Sequence, residues 1–223
     1  MRPPFHSQAL LFDLDGTLID TVPDIAAAVD RALLDLSLPA AGLARVRGWV
    51  GNGAAKLLER ALRHAGAPPE EMSARALDLF LQHYGDEFTV RSELYEGVAE
   101  TLDRLAARGL RLAVCTNKPS AFVAPLLRHF RIDHHFALSI GADELPQRKP
   151  HPAPLLHIAA SFGLKPAECL MVGDSVNDVE AARAAGMPVI AVSYGYNHGA
   201  PIADSRPDAV VDRFAQIVEL IAV

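Results

Sequence analysis

Two carboxylates one residue apart, Asp13 and Asp15, end the apolar run Ala9-Leu10-Leu11-Phe12, and Gly16-Thr17-Leu18 follows them. If strand geometry carries through, side chains at i and i+2 share a side, so both acids face one site. Gly16 breaks the strand and lets the backbone approach a ligand closely. Like charges in a half-buried place are costly unless a positive group joins them. A divalent, oxygen-seeking cation is the cheapest such group. A bare Asp-x-Asp also reads as a strand that ends in a solvated acidic turn. The two readings differ in whether the rest of the chain supplies partners.

Partners stand at the ends of other apolar runs. Thr116-Asn117 follows the run 111–115, Lys149 lies in Lys149-Pro150-His151-Pro152 beyond the run 136–140, and Asp174 and Asp178 flank Ser175-Val176-Asn177 beyond the run 169–172. Each has a plain structural reading: a strand-end hydroxyl, a solvated lysine, acids favoured at a helix start by its dipole. Their shared placement at strand ends, in this order, is what sets them apart.

The elements that must hold these groups follow from periodicity. Ile25, Ala28, Val29, Ala32, Leu33 and Leu36 predict a helix over 24–36, with Thr21, Pro23 and Asp24 forming its start. Residues 37–92 contain no convincing strand. A short helix or turn covers 41–49, a helix covers 54–65 after Val50-Gly51-Asn52-Gly53, and another covers 70–88 after Pro68-Pro69. From 93 onward, strands at 111–115, 136–140, 169–172 and 189–192 alternate with helices at 98–108, 121–130 (capped by Ser120), 153–162, 176–185 and 214–221. This is an α/β pattern: a parallel sheet in a Rossmann-like three-layer core, covered by helices on both faces. Residues 1–19 and 93–223 form that core, and 20–92 form a small helical domain inserted after the first strand. Ligands of such sheets gather beyond the carboxyl ends of the strands.

Bulk properties exclude other classes. Half of the 223 residues are hydrophobic and the formal net charge is −6, so no basic surface for nucleic acid is expected. The apolar run 9–12 is too short for a signal segment or a membrane span, which predicts a cytoplasmic protein with no membrane partner. Cys115 and Cys169 lie in apolar runs and read as buried free thiols. Monomer and homodimer both stay open.

Taken together, Asp13-Leu14-Asp15-Gly16-Thr17, Thr116, Lys149 and Gly173-Asp174-Ser175-Val176-Asn177-Asp178 resemble the four motifs of the haloacid dehalogenase superfamily, in the same order and across nearly the whole chain. The helical insert resembles that superfamily's cap. Trp49-Val50-Gly51-Asn52-Gly53-Ala54, Thr116-Asn117-Lys118-Pro119 and Tyr194-Gly195-Tyr196-Asn197-His198-Gly199 resemble the phosphoglycolate phosphatase group within it. The resemblance implies a Mg²⁺-dependent phosphomonoesterase that turns 2-phosphoglycolate into glycolate and phosphate through an aspartyl-phosphate. Asp13 would be the nucleophile and Asp15 the general acid, then base. The metal would take Asp13, the main-chain carbonyl of Asp15, and Asp174. Lys149, Thr116 and Asn117 would face the phosphoryl oxygens. Asp178, four residues past Asp174, reaches the same side of a helix and would act behind the metal or through a water.

A substrate carboxylate needs an anion site in the cap. Gly51-Asn52-Gly53 precedes a helix, whose N-terminus offers unpaired N–H groups, and Arg45 is a nearby cation. These glycines also suit a simple turn between helices. Trp49 reads as cap core, His198 as a loop residue, and His134-His135 as a surface turn, because no cysteine or carboxylate joins the pair in sequence. The alternatives are a phosphatase of another small metabolite such as a sugar phosphate, a phosphomutase, and a non-catalytic receiver-like domain phosphorylated on aspartate. The insert and a second acid at Asp15 argue against the receiver.

Overall fold

The computed structural model describes residues 5–222. Its first part runs β1 (Phe5–His6), β2 (Ala9–Phe12), β3 (Ile19–Asp20), α1 (Val22–Asp35), α2 (Leu43–Arg47), α3 (Ala54–His64), α4 (Pro69–Glu87) and β4 (Glu93–Leu94). Then come α5 (Val98–Ala107), β5 (Arg111–Cys115), α6 (Ser120–His129), β6 (Phe136–Ile140), α7 (Ala153–Ser161), β7 (Cys169–Gly173) and α8 (Val176–Ala185). The chain closes with β8 (Val189–Val192), β9 (Ala209–Val211), α9 (Ile217–Leu220) and β10 (Ile221–Ala222).

Six strands form one parallel sheet in the order β6-β5-β2-β7-β8-β9. Strand β2 lies at its centre between β5 and β7, so its four residues are wholly buried. Alternation sends Leu10 and Phe12 to one face, where they pack with Val98, Leu102, Val123 and Phe214, and Ala9 and Leu11 to the other, against α7 and α8. The α8 side carries mainly small residues, Ala181, Ala182 and Ala185, so this helix lies close to the strands. Burying each large aliphatic side chain contributes about 1.5–3 kcal/mol, and both faces of the sheet supply many. The result is a three-layer α/β core.

Helices α1 to α4 enclose a hydrophobic core of their own, built around Val29, Leu33, Leu58, Leu62 and Phe80. The chain leaves the sheet through β3 and returns through β4. These two strands pair antiparallel, Ile19 with Leu94 and Asp20 with Glu93. No helix among the described residues is long and apolar enough to cross a membrane. Cys115 and Cys169 are free and buried.

Several local expectations need correction. Thr21 occupies the N-cap position of α1 with Pro23 and Asp24 in the first turn, as expected, but its side chain makes no capping bond: its hydroxyl donates instead to Asp15 Oδ1 at 2.6 Å. A carboxylate is a stronger acceptor than the helix start can match. Asp24 turns away as well, accepting the N–H groups of Arg91 and Ser92. Ser120 is the first residue of α6 rather than its cap, and its hydroxyl donates to Asp143 at 2.9 Å. The helix expected over 214–221 is a 3₁₀ turn at Phe214–Gln216 followed by the short α9, because Ile221 pairs with Phe5 in a parallel ladder. Strands β1, β3, β4, β9 and β10 are too short to stand out by period alone.

Candidate active site

All four motifs sit at the carboxyl ends of the sheet strands. Asp13 continues the ladder from β2, its N–H donating to Val172 O at 2.9 Å. A tight turn follows, closed by Leu18 and Ile19 donating to Leu14 O. Gly16 has φ +89°, and a Cβ there would collide with the Asp174 carboxylate and the Tyr196 ring. Glycine is therefore what lets the first motif press against the fourth.

Lys149 is the hub of the floor. Its Nζ lies 3.1 Å from Asp13 Oδ1 and 2.6 Å from Asp178 Oδ1, and it donates to Cys115 O at 2.6 Å. The ammonium is buried, which alone would lower its pKa, but Asp13 and Asp178 together outweigh burial and raise it. Asp13 responds oppositely: burial pushes its carboxyl up to about 7 despite Lys149, with Asp178 and Asp15 adding to the rise. Asp174 is raised well above the usual carboxylate range by burial and then by Asp13 and Asp178. Asp13 Oδ1 accepts the Leu14 N–H at 2.7 Å, whereas its Oδ2 accepts no hydrogen bond from the described residues. Asp174 is held by Thr17 Oγ1 at 2.9 Å and the Tyr196 N–H at 2.8 Å.

Asp178 is fully buried. One oxygen meets Lys149 and the other accepts the Ser175 N–H and hydroxyl, at 3.0 and 2.8 Å. Its acceptor sites are thus engaged by protein donors, and it anchors the lysine and the start of α8.

The donor set suits a hard divalent cation. Asp13, Asp174 and Asp178 bring carboxylate oxygens within 4.8 Å of one another. With Asp15 these are four carboxylates against two ammoniums, Lys149 paired with Asp13 and Asp178 and Lys118 with Asp15, an excess of negative charge in a buried place. All the donors are oxygens, the preference of magnesium.

Above the floor lies a chamber of about 50 Å³. Its walls are mostly apolar: Ile25, Val50 and Leu57, with Phe80 and Tyr84 from α4 and Phe122 from α6. Thr116, Asn117 and Lys118 line it from the end of β5, and Gly51 and Gly53 from the loop before α3. Thr116 Oγ1 accepts the Lys118 N–H at 3.1 Å, which leaves its own hydrogen available. Asn117 Nδ2 ties this strand end to Gly51 O at 2.9 Å and Lys149 O at 2.8 Å.

The structure does not bring every expected residue here. Arg45 is exposed and donates to Ala41 O within its own helical turn, because α2 points it away from the chamber. Asn52 also turns outward, to Asn177 and Arg60. His134 and His135 are joined by Asp103 of α5, whose Oδ1 lies 3.5 Å from His135 Nε2. This cluster is remote from the chamber, and chain spacing could not show the helix contact.

Lys118 and Tyr196 stand in the sequence only as parts of longer motifs, and His198 reads there as a loop residue; the structure gives each a contact. Lys118 places Nζ 2.9 Å from Asp15 Oδ1. Tyr196 accepts the N–H groups of Thr21 and Val22 and donates to Asp20 at 2.7 Å, fastening the loop after β8 to the start of α1. His198 Nδ1 contacts Gly48 O at 3.2 Å from the same loop. The signal for Tyr196 was its place in the motif 194–199; for Lys118 it was a lysine directly after two strand-end polar residues.

Known proteins resemble this chain in sequence and fold. A family model described as haloacid dehalogenase-like hydrolase matches residues 8–186. A phosphoglycolate phosphatase of Nitrosococcus oceani is 46% identical over 217 residues, covering 96% of each chain. One from Pectobacterium atrosepticum is 49% identical over 215 residues, covering 96% of this chain and 92% of that protein. The crystal structure of a predicted phosphoglycolate phosphatase from Haemophilus somnus superposes with a TM-score of 0.93 at 43% identity, covering 96% of this chain and 97% of that one.

Proposed function

The chain belongs to the haloacid dehalogenase-like hydrolase family, and from that premise we propose that it is a phosphatase hydrolysing 2-phosphoglycolate to glycolate and inorganic phosphate through a phosphorylated Asp13. One observation carries the reading: Asp13 presents an Oδ2 without a donor at the floor of a small apolar chamber, while Lys149 and Leu14 hold its Oδ1. The fixed oxygen orients the carboxylate and the free one attacks phosphorus. Lys149, the Thr116 hydroxyl and the Asn117 N–H face the negative oxygens of the transferring group. Asp15 gives a proton to the departing alkoxide. It then takes one from the water that cleaves the aspartyl-phosphate, which returns Asp13 to its starting state.

Asp13, Asp174 and the main-chain carbonyl of Asp15 would hold a magnesium ion. Once bound, that ion would supply charge neutralisation between phosphate and carboxylate. Asp178 acts through Lys149 and the Ser175 turn. Helices α1 to α4 serve as a cap over the strand ends, with residues 20–92 as its extent.

Size favours a short substrate. A chamber of about 50 Å³ holds roughly four water-sized groups. So small a space favours a small phosphomonoester over a hexose phosphate. The relatives named phosphoglycolate phosphatase, 46% and 49% identical over nearly the full chain, support the same choice.

The test is phosphate release from 2-phosphoglycolate beside sugar phosphates and nucleotides. The expected result is preferred release from 2-phosphoglycolate, abolished by a chelator and restored by added magnesium. Faster release from a hexose phosphate would overturn the substrate assignment, and chelator-insensitive turnover would overturn the metal.

A further inference from the structure

Lys118 is out of place for a surface lysine. It is 4% exposed, lies at the end of β5, and lines the chamber. Its Nζ contacts both oxygens of Asp15, at 2.9 and 3.3 Å, and lies 4.7 Å from the centre of the Tyr84 ring. Burial alone would lower its pKa, yet Asp15 and Tyr84 outweigh that and raise it. A second, independent feature adjoins it. The Tyr84 hydroxyl is buried and finds no hydrogen-bond partner among the described residues. Buried hydroxyls are nearly always partnered, and this one, on a chamber wall, is open to a ligand. Beyond these two groups the upper walls of the chamber are apolar: Ile25, Val50, Leu57, Phe80 and Phe122.

We propose that Lys118, assisted by the Tyr84 hydroxyl, recognises a carboxylate of the substrate by exchanging its ion pair with Asp15 for one with the ligand. This rests on the reading of Asp15 as the acid that faces the ester oxygen, and it deepens that reading into a substrate class. An ammonium 2.9 Å from that acid reaches only a carboxylate attached close to the ester oxygen. The class is therefore 2-phospho-carboxylates, in which one carbon separates the two groups. A carboxylate further along a chain would have to fold back into apolar walls. For Lys118 itself the exchange costs little desolvation, because it is already buried against a carboxylate.

Binding of unreactive phosphonates tests this apart from turnover. The probes are 3-phosphonopropionate, which replaces the ester oxygen of 2-phosphoglycolate by a methylene, and propylphosphonate, which has the same length and no carboxylate. Calorimetry on the magnesium-loaded wild type is expected to favour the carboxylate probe by about 100-fold, the size of a buried charge-assisted contact. In Lys118→Met the preference should fall to about 3-fold or less, with propylphosphonate affinity little changed. Tyr84→Phe removes a hydroxyl with no native partner, so the fold should tolerate it, and it should reduce the preference about 5-fold. A wild type without preference, or a Lys118→Met protein that keeps it or weakens both probes equally, would overturn the proposal. If Lys118→Met does not fold, an unchanged preference in Tyr84→Phe overturns it instead. A Lys118-dependent preference in a protein that releases no phosphate from 2-phosphoglycolate would sink the reaction and leave this assignment standing. Phosphate release with a Lys118-independent preference would do the reverse.

Discussion

At the sheet ends, polar groups are bound to polar groups from distant strands: Lys149 to Asp13 and Asp178, Asp174 to Thr17, Asp178 to Ser175. In the helical unit the side facing the chamber is apolar, and its polar exception, Tyr84, carries an unpaired hydroxyl. One region binds most of its polar groups internally and holds its charges in place, with Asp13 Oδ2 and Asn117 Oδ1 left without a donor among the described residues. The other is finished only by what binds. Parallel strands deliver side chains from four positions to a common edge with little freedom, which suits chemistry needing fixed charges. Packed helices define a volume, which suits selection by size.

The two regions should therefore fail differently. The largest effect is expected at the floor: Asp13→Asn should lower 2-phosphoglycolate turnover by about 10⁴-fold or more with unchanged far-UV circular dichroism, since the proposed nucleophile would have no substitute. Next, Lys149→Met leaves Asp13 and Asp178 buried without their cation. It should destabilise the protein by about 3–5 kcal/mol in urea denaturation, as removing one partner of a buried pair does, besides losing activity. In the helical unit, Leu58→Ala opens a cavity at a fully buried position. It should cost about 2–5 kcal/mol and show in KM more than in kcat, because the walls loosen while the floor stays. Finally, Arg45→Ala should change kcat/KM by less than about 2-fold, as expected of an exposed side chain bonded to its own helix. A large effect there would mean that α2 rearranges over the substrate, and the line between the regions would need redrawing.

The same contrast explains what could be read from the chain. Asp13, Thr116 and Asp174 were legible because each stands where an apolar run stops, with Asp15, Lys149 and Asp178 in the loops and helix start beyond such runs, and parallel strands bring all such ends to one edge. The three-layer core was legible for the same reason, from its alternation of strands and helices. Contacts between elements were not. Arg45 lies near the glycine loop in sequence, but one helical turn directs it elsewhere. Lys118 meets an acid 103 positions away, and nothing local marks it as buried. Thr21 carries a capping signature that a nearby carboxylate overrides. Ile221 continues a helical period yet is captured by β1, whose two residues are too few to announce themselves.

The β3/β4 ribbon carries a consequence for traffic. It pairs only Ile19 with Leu94 and Asp20 with Glu93, and both chain crossings between sheet and helical unit run through it. Under the proposed reaction, a chamber of about 50 Å³ would not hold departing glycolate and an arriving substrate together. Every cycle must then include an opening, and a two-residue ribbon can bend without breaking either core. The His198 contact with Gly48 O and the bonds that Asn117 and Asn177 donate to Gly51 O join the two regions away from the ribbon and would have to break in such an opening. Weakening them would speed product escape at the expense of the dryness in which Asp13 works.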